Sequence, residues 1–117
     1  MGVMLKGAWH DVPRDTRATG GEFIRPESAF RDRVSADGGA GFEAEPGRYR
    51  LYVAEGCPWA HRTLIVRALK GLEDALPVVV ADPVLGANGW EFAGRGGIRY
   101  LHELYAAARP DYSGRVT

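Results

Sequence analysis

The chain has 117 residues, of which 45% are hydrophobic and 26% are charged, a composition that suits one small globular domain with a modest core. Fifteen Lys and Arg balance 15 Asp and Glu, so no net charge attracts nucleic acid or an anionic membrane. The single cysteine excludes an internal disulfide framework and suits a reducing compartment. No apolar run near the N-terminus has the length of a signal peptide or a membrane span, so we expect a soluble cytoplasmic protein.

Residues 1–47 are rich in Gly, Pro, Asp and Arg and carry few apolar residues at any regular spacing. Such a segment is typical of a long extended arm or of a disordered region. Within it, Ser28 is predicted to cap a short helical turn that places Phe30 and Val34 on one face. Two interpretations remain open: an arm that packs a few aromatic residues on the domain surface, and an arm that contributes to a site.

Residues 48–72 predict a strand followed directly by a helix. Tyr49, Leu51 and Val53 alternate with their neighbours in a β-prone run, and Glu55 and Gly56 then interrupt the alternation. A proline suits the first helical position, because its missing N–H has no helical partner to lose there. Helical spacing continues through Ala60, Leu64, Ile65, Ala68, Leu69 and Leu72, with Gly71 as a stop signal.

The only cysteine, Cys57, therefore falls between the strand and the helix N-terminus. Unpartnered first-turn N–H groups and the helix dipole favour the thiolate there, and the thiolate is the reactive form. His61 and Arg62 in the first turn add positive charge. Because Ala60 follows in the motif, no second thiol is present, and a reactive Cys57 needs an external thiol such as glutathione to resolve a mixed disulfide. The alternative interpretation is a buried cysteine that acts as a small apolar residue.

The rest of the chain predicts a second strand and a second helix. Residues 76–82 form an apolar β-branched run, which predicts a buried strand parallel to the first because a helix crossover joins them. Residues 83–97 form a glycine-rich loop in which Trp90 packs on its own domain or lines a ligand cleft. Residues 94–97 lack the fingerprints of phosphate-binding loops. Apolar residues from 98 to 108 predict an amphipathic helix ended by Pro110, and residues 115–117 predict the start of another strand.

Taken together, these segments resemble the Xi-class glutathione transferases, also called glutathionyl-hydroquinone reductases. The matching stretches are residues 21–31, 51–64, 69–73, 89–92 and 111–117. Cys-Pro-Trp-Ala-His-Arg followed by Gly-Trp-Glu-Phe is specific for this class, whereas Cys-Pro alone only indicates a thioredoxin-like domain. The resemblance covers nearly the whole chain.

The resemblance implies an α/β, thioredoxin-like fold. Residues 1–47 would be an N-terminal arm, and residues 48–117 an incomplete β-α-β-α glutathione-binding domain. In the family a helical C-terminal domain follows and the enzyme is a homodimer. The cis-proline strand and the Glu-Ser pair that grips glutathione would also follow Thr117. We therefore expect the sequence to represent the first part of such an enzyme, with impaired turnover.

The resemblance also implies residue roles, with glutathione as co-substrate and no metal. Cys57 would attack the glutathionyl sulfur of a glutathionyl-hydroquinone and become a mixed disulfide, which a second glutathione would resolve. Trp90 would pack against glutathione, with Arg115 beside it and Val116 acting through its backbone. The residues expected to shape and support the thiol pocket are Pro58, Trp59, His61 and Arg62.

Three alternatives remain open at this point. The chain resembles omega-type monothiol transferases of the dehydroascorbate reductase kind, although the Gly-Trp-x-Phe element and the long arm favour the Xi class. It would also suit a non-catalytic fragment or a glutathione-binding module without turnover. A membrane-inserting relative of the transferase fold fits less well, because the helix after Cys57 carries four basic residues, His61, Arg62, Arg67 and Lys70.

Overall fold

A computed structural model describes residues 2–12, 17–24 and 26–117 of the chain. These residues form two compact units. The first unit comprises the described residues up to Ala29 together with Val84–Val116, and the second comprises Phe30–Pro83 with Thr117. The division differs from the boundary between residues 47 and 48, which stays a prediction. Arg25, in one of the family-like stretches, lies outside the described residues.

The second unit contains the strand-helix-strand that the sequence predicts. Strand β5 (Leu51–Val53) leads into helix α1 (Pro58–Leu69), and strand β6 (Val78–Val80) returns parallel to β5, with Leu51 opposite Val78 and Val53 opposite Val80. Val53, Ala54 and Ala81 are buried at the ends of this pair. The parallel pairing is confirmed, but the strands are shorter than expected and β6 is half-buried to exposed rather than buried. Its sheet has only two strands in the described chain, so β6 is an edge strand and has a neighbouring strand on one side only.

Helix α1 is held at its far end by Arg67. The Arg67 Nε donates to the carbonyl oxygen of Leu76 (2.7 Å) and a guanidinium nitrogen donates to that of Glu73 (2.8 Å). These bonds satisfy two carbonyl groups of the loop that leads into β6 and fix its course. The helix ends at Leu69, three residues earlier than expected, just before the stop signal at Gly71. Its burial differs from the pattern predicted from spacing. Ala60 and Leu64 are half-buried, whereas Ile65, Val66 and Leu69 are exposed.

The same unit contains strands β3 (Arg33–Ser35) and β4 (Gly41–Glu43), which pair in parallel. The helical turn predicted after Ser28 is therefore wrong, because Val34 lies in a strand opposite Phe42. So short a helix is marginal without tertiary packing, and a β-branched residue fits a strand.

In the first unit, the segment predicted as an arm begins with an antiparallel hairpin. Strands β1 (Val3–Leu5) and β2 (Ala8–His10) are joined by Lys6 and Gly7, both with positive φ (49° and 80°), as a two-residue type I′ turn requires. Met4 exchanges two backbone hydrogen bonds with Gly114 (2.8 and 2.9 Å). The hairpin is thus tied to the last residues of the chain.

The rest of the first unit is the glycine-rich loop and helix α2 (Leu101–Ala108). Glu103 fixes the start of α2 by accepting from the backbone N–H of Tyr100 (3.3 Å) and of Arg99 (3.2 Å). The helix begins three residues later than predicted and ends before Pro110 as expected. The core of this unit consists of Met4, Phe92, Leu101 and Tyr112. The strand predicted at residues 115–117 is wrong, because the pairing with Met4 involves Gly114 and no strand ladder includes the residues after it.

No helix in the described part of the chain has the length and apolar character needed to cross a membrane.

Replacing Gly7 by Ala is expected to destabilise the hairpin. A Cβ at this position would lie 1.8 Å from the backbone oxygen of Pro110, and the residue has a positive φ. Gly20→Ala is the matched control, because Gly20 also has a positive φ but has open space around it. We expect about 1 kcal/mol for the control, from backbone strain alone, and at least about 2 kcal/mol for Gly7→Ala. Urea unfolding followed by circular dichroism measures both, and equal losses would show that the clash with Pro110 is unimportant.

Candidate functional site

Cys57 is the N-cap residue of α1, as the sequence predicts. Its N–H donates to the carbonyl oxygen of Ala54 (3.0 Å), and its own carbonyl oxygen accepts the first helical hydrogen bond from His61 (3.0 Å). Pro58 occupies the first helical position. The cysteine is unpaired and only 7% exposed. The backbone thus places the sulfur-bearing residue at the positive end of the helix dipole, with its side chain buried.

The side chains after Cys57 lie on the exposed start of the helix. The Arg62 guanidinium carbon lies 4.6 Å from the centre of the Trp59 ring, a cation–π contact. His61 is exposed as well. The contact fixes a cation one turn after the cysteine and orients an indole at the same helix end. These residues, Cys57, Pro58, Trp59, His61 and Arg62, belong to the second unit.

Trp90 lies in the first unit, directly after a tight turn that Gly86 and Gly89 close. These two glycines pair with each other through two backbone hydrogen bonds (3.0 and 3.3 Å). The carbonyl oxygen of Trp90 accepts from the N–H of Leu101 (3.0 Å), and Glu91 pairs with Tyr100. The start of α2 therefore holds the backbone of Trp90. The residue is half-buried.

Arg115 and Val116 follow Gly114 in the same unit as Trp90. The Arg115 guanidinium carbon lies 5.1 Å from the centre of the Phe23 ring, so an aromatic of the N-terminal segment supports this cation. The Tyr112 hydroxyl donates to the carbonyl oxygen of Arg115 (2.7 Å). Burial, with a smaller contribution from Tyr105, raises the pKa of Tyr112, so the phenol keeps the proton that it donates.

A stack of three rings in the first unit escaped the sequence analysis. The imidazole of His102 lies between Trp9 and Tyr100, with ring centres 5.1 and 5.5 Å away and planes inclined by 13° and 14°. The Arg99 guanidinium carbon lies over the Tyr100 ring, 5.1 Å from its centre. The sequence carries only a weak signal for this stack, because Gly7 suits a turn but Lys-Gly is not among the dipeptides typical of a two-residue hairpin.

The structure therefore groups the predicted site residues into two sets. The thiol set lies at the start of α1, and the set of Trp90, Arg115 and Val116 lies around the turn and the C-terminal residues of the first unit. Among the described residues no group of three or more His, Cys, Asp or Glu is placed to hold a metal ion.

Comparison with known proteins finds relatives that are glutathionyl-hydroquinone reductases and glutathione transferases, although no protein-family model matches the chain. It is 46% identical over 125 residues to glutathionyl-hydroquinone reductase PcpF of Sphingobium chlorophenolicum and 48% identical over 132 residues to glutathionyl-hydroquinone reductase YqjG of Escherichia coli. Both matches cover 100% of this chain. They cover 39% and 40% of the relatives, so the chain spans about two fifths of the length of these curated proteins.

Solved structures agree with these sequence matches. A Xi-class glutathione transferase from Natrialba magadii superposes with a TM-score of 0.79 at 40% identity, covering 100% of this chain and 37% of that one. The glutathione-bound structure of YqjG from E. coli gives 0.75 at 40% identity, covering 99% and 37%.

The β5–α1–β6 unit with a cysteine at the helix N-terminus thus defines the thioredoxin-like N-terminal domain of a glutathione transferase. Within that superfamily the chain belongs to the Xi class and corresponds to an N-terminal portion of its relatives.

The stability of the first unit is expected to depend on the protonation of His102. Burial between the rings lowers the pKa of His102 from its ordinary value of 6.5, opposed only by the nearby Glu103. The unfolded chain then binds more protons than the folded chain, so the free energy of unfolding increases as pH rises, until the pH has passed 6.5. This contribution to stability is lost as pH falls through the lower pKa of the folded chain.

Urea titrations between about pH 5 and pH 8 measure this dependence, which spans the ordinary histidine range. His102→Asn should flatten the rise, and His10→Asn controls for removing a histidine from the same unit. A slope in His102→Asn as steep as in the unaltered chain would contradict the assignment.

Proposed function

We propose that the chain carries the thiol chemistry of a glutathionyl-hydroquinone reductase, with Cys57 as nucleophile. The observation that carries this proposal is the position of the only cysteine, as N-cap of α1 directly after β5, in a chain of the Xi class. Relatives that match it over its whole length are named for this activity.

In the proposed first step the Cys57 sulfur attacks the sulfur of a glutathionyl-hydroquinone. A sulfur–sulfur bond forms to glutathione, and the bond between glutathione sulfur and the ring carbon breaks. The ring carbon keeps the electron pair and takes up the proton that the thiol has lost, which gives the free hydroquinone. In the second step a glutathione thiol attacks the mixed disulfide, and glutathione disulfide leaves with Cys57 reduced. The missing second cysteine in Cys-Pro-Trp-Ala makes this external thiol necessary.

We assign glutathione recognition to Trp90, Arg115 and the backbone of Val116. The support is local: α2 fixes the Trp90 backbone, and Phe23 supports the Arg115 guanidinium. A guanidinium suits the carboxylates of glutathione, because it offers several donors in a fixed plane. Pro58, Trp59, His61 and Arg62 shape and charge the start of α1. The family also motivates a cytoplasmic homodimer as the working form of the whole protein.

A second candidate is a glutathione-binding module without turnover. The observation that favours it is the low exposure of Cys57, 7%, since a nucleophile must be reached by its substrate. A buried thiol can lie next to bound glutathione without attacking it. The two candidates differ in one observable, a covalent adduct on Cys57.

Mixing the reduced chain with a glutathionyl-hydroquinone is expected to add one glutathionyl group and to release one hydroquinone. Intact-mass spectrometry measures the adduct and chromatography measures the hydroquinone. Cys57→Ser should give neither product, because the hydroxyl is a far weaker nucleophile. Dehydroascorbate, offered in parallel, separates the omega-type alternative. Glutathione binding without an adduct in the unaltered chain would favour the module.

Arg115→Gln is expected to weaken glutathione binding about tenfold to a hundredfold, the usual loss for a hydrogen bond to a charged group. Calorimetric titration with reduced glutathione measures the dissociation constant. Arg109→Gln is the matched control, because Arg109 is an exposed arginine of the same unit that pairs with Asp111 (3.3 Å). Val116→Ala should change the constant little, since Val116 acts through its backbone. Equal effects of the two arginine variants would remove Arg115 from the binding site.

A further inference from the structure

The indole of Trp9 packs on the turn that precedes Trp90, and this contact is called the Trp9 clamp. The turn, residues 86–89, is called the Trp90 turn. The Trp9 Nε1 donates to the carbonyl oxygen of Ala87 (2.8 Å), inside the turn. Its six-membered ring covers Gly89 so closely that a Cβ on Gly89 would lie 3.1 and 3.2 Å from two ring carbons. One side chain of the hairpin therefore contacts both residues that flank Asn88, and Trp90 follows immediately.

Contacts with α2 and with strand β1 hold Trp9 in place. The face of the Trp9 ring stacks on His102 of α2, whose first residue, Leu101, donates to the Trp90 carbonyl oxygen. Strand β2 holds Trp9 opposite Met4, and Met4 is fully buried and paired with Gly114. The turn thus lies between two elements that contact each other through the Trp9–His102 stack.

The chemistry of the clamp requires tryptophan. Only an indole offers both a ring broad enough to cover Gly89 and reach His102 and an N–H donor at its edge for Ala87. Gly89 has a positive φ of 79° and is buried, so the turn depends on having no side chain beneath the ring. A change in Trp9 would free the Ala87–Gly89 peptides, and with them the direction in which the chain enters Trp90.

We propose that Trp9 is a positioning residue for glutathione binding, acting through Trp90. The N-terminal hairpin is then part of the binding apparatus. This inference rests on the proposed function, specifically on the contact between Trp90 and glutathione. Trp9 itself touches the turn and not the ligand.

A double-mutant cycle on the full chain tests the inference, with reduced glutathione as the probe. Trp9→Phe keeps most of the ring and removes the donor to Ala87, and Trp90→Ala removes the glutathione contact. Trp9→Phe is expected to raise the dissociation constant about three- to tenfold, the range for one lost hydrogen bond. In the Trp90→Ala background it should add less than about twofold, because coupled residues are not additive.

Two further readouts separate positioning from a structural role. The chain has three tryptophans, so 5-fluorotryptophan labelling gives three fluorine resonances, and Trp90→Phe assigns the one of interest. Trp9→Phe should shift or broaden the Trp90 resonance while the rate of Cys57 alkylation by iodoacetamide stays unchanged. Gly89→Ala reaches the same contact from the other side and should weaken binding in the same way. Leu5→Ala, at an exposed position of β1, is the matched hairpin control and should leave binding unchanged.

The outcomes distinguish the two proposals. Unchanged glutathione binding in Trp9→Phe, or an effect that persists in full without Trp90, would overturn the role of Trp9 alone. An equal loss in Leu5→Ala would also overturn it, because that loss would come from general weakening of the hairpin. Unchanged binding in Trp90→Ala, or no binding by the unaltered chain, would overturn the proposed glutathione contact and the role of Trp9 with it.

Discussion

The parallel pairing of β5 with β6 is the constraint on which the position of Cys57 depends. Helix α1 is the crossover between these two parallel strands, so the chain leaves β5 and enters a helix within a few residues. Cys57 occupies that junction. Arg67 keeps the crossover in place by binding the loop before β6 at two carbonyl groups. The thiol thus owes its place to backbone geometry, with no side-chain hydrogen bond to its helix cap.

In the first unit the residues assigned to glutathione lie on loops. The turn before Trp90 and the segment after Gly114 have no regular structure of their own, and loops of this kind need contacts from neighbouring elements. The N-terminal residues supply them: Trp9 at the turn, Met4 at Gly114 and Phe23 beneath Arg115. A segment whose composition indicates an arm therefore contributes order to the residues assigned to glutathione.

The elements that were predicted well are those with a strong local signal. The β-prone alternation before Cys57, the proline after it and the valine run at β6 specify a strand, a helix start and a strand. The failures have a common cause. Ser28 can cap a helix and residues 115–117 can extend a strand, but each outcome needs a partner that sequence spacing does not reveal. In the folded chain Val34 pairs with Phe42, and Met4 pairs with Gly114.

The sequence by itself determined the class of the protein and the place of its cysteine at a helix start, because Cys-Pro-Trp-Ala-His-Arg and Gly-Trp-Glu-Phe are local motifs that the order of residues records. Tertiary structure alone decided that the N-terminal hairpin packs on the Trp90 turn. Trp9 and Ala87 are 78 positions apart, and the bond between them depends on ring size, a donor at the ring edge and a glycine beneath the ring. No local preference encodes such a contact, since it forms only when the hairpin and α2 present their side chains to one another.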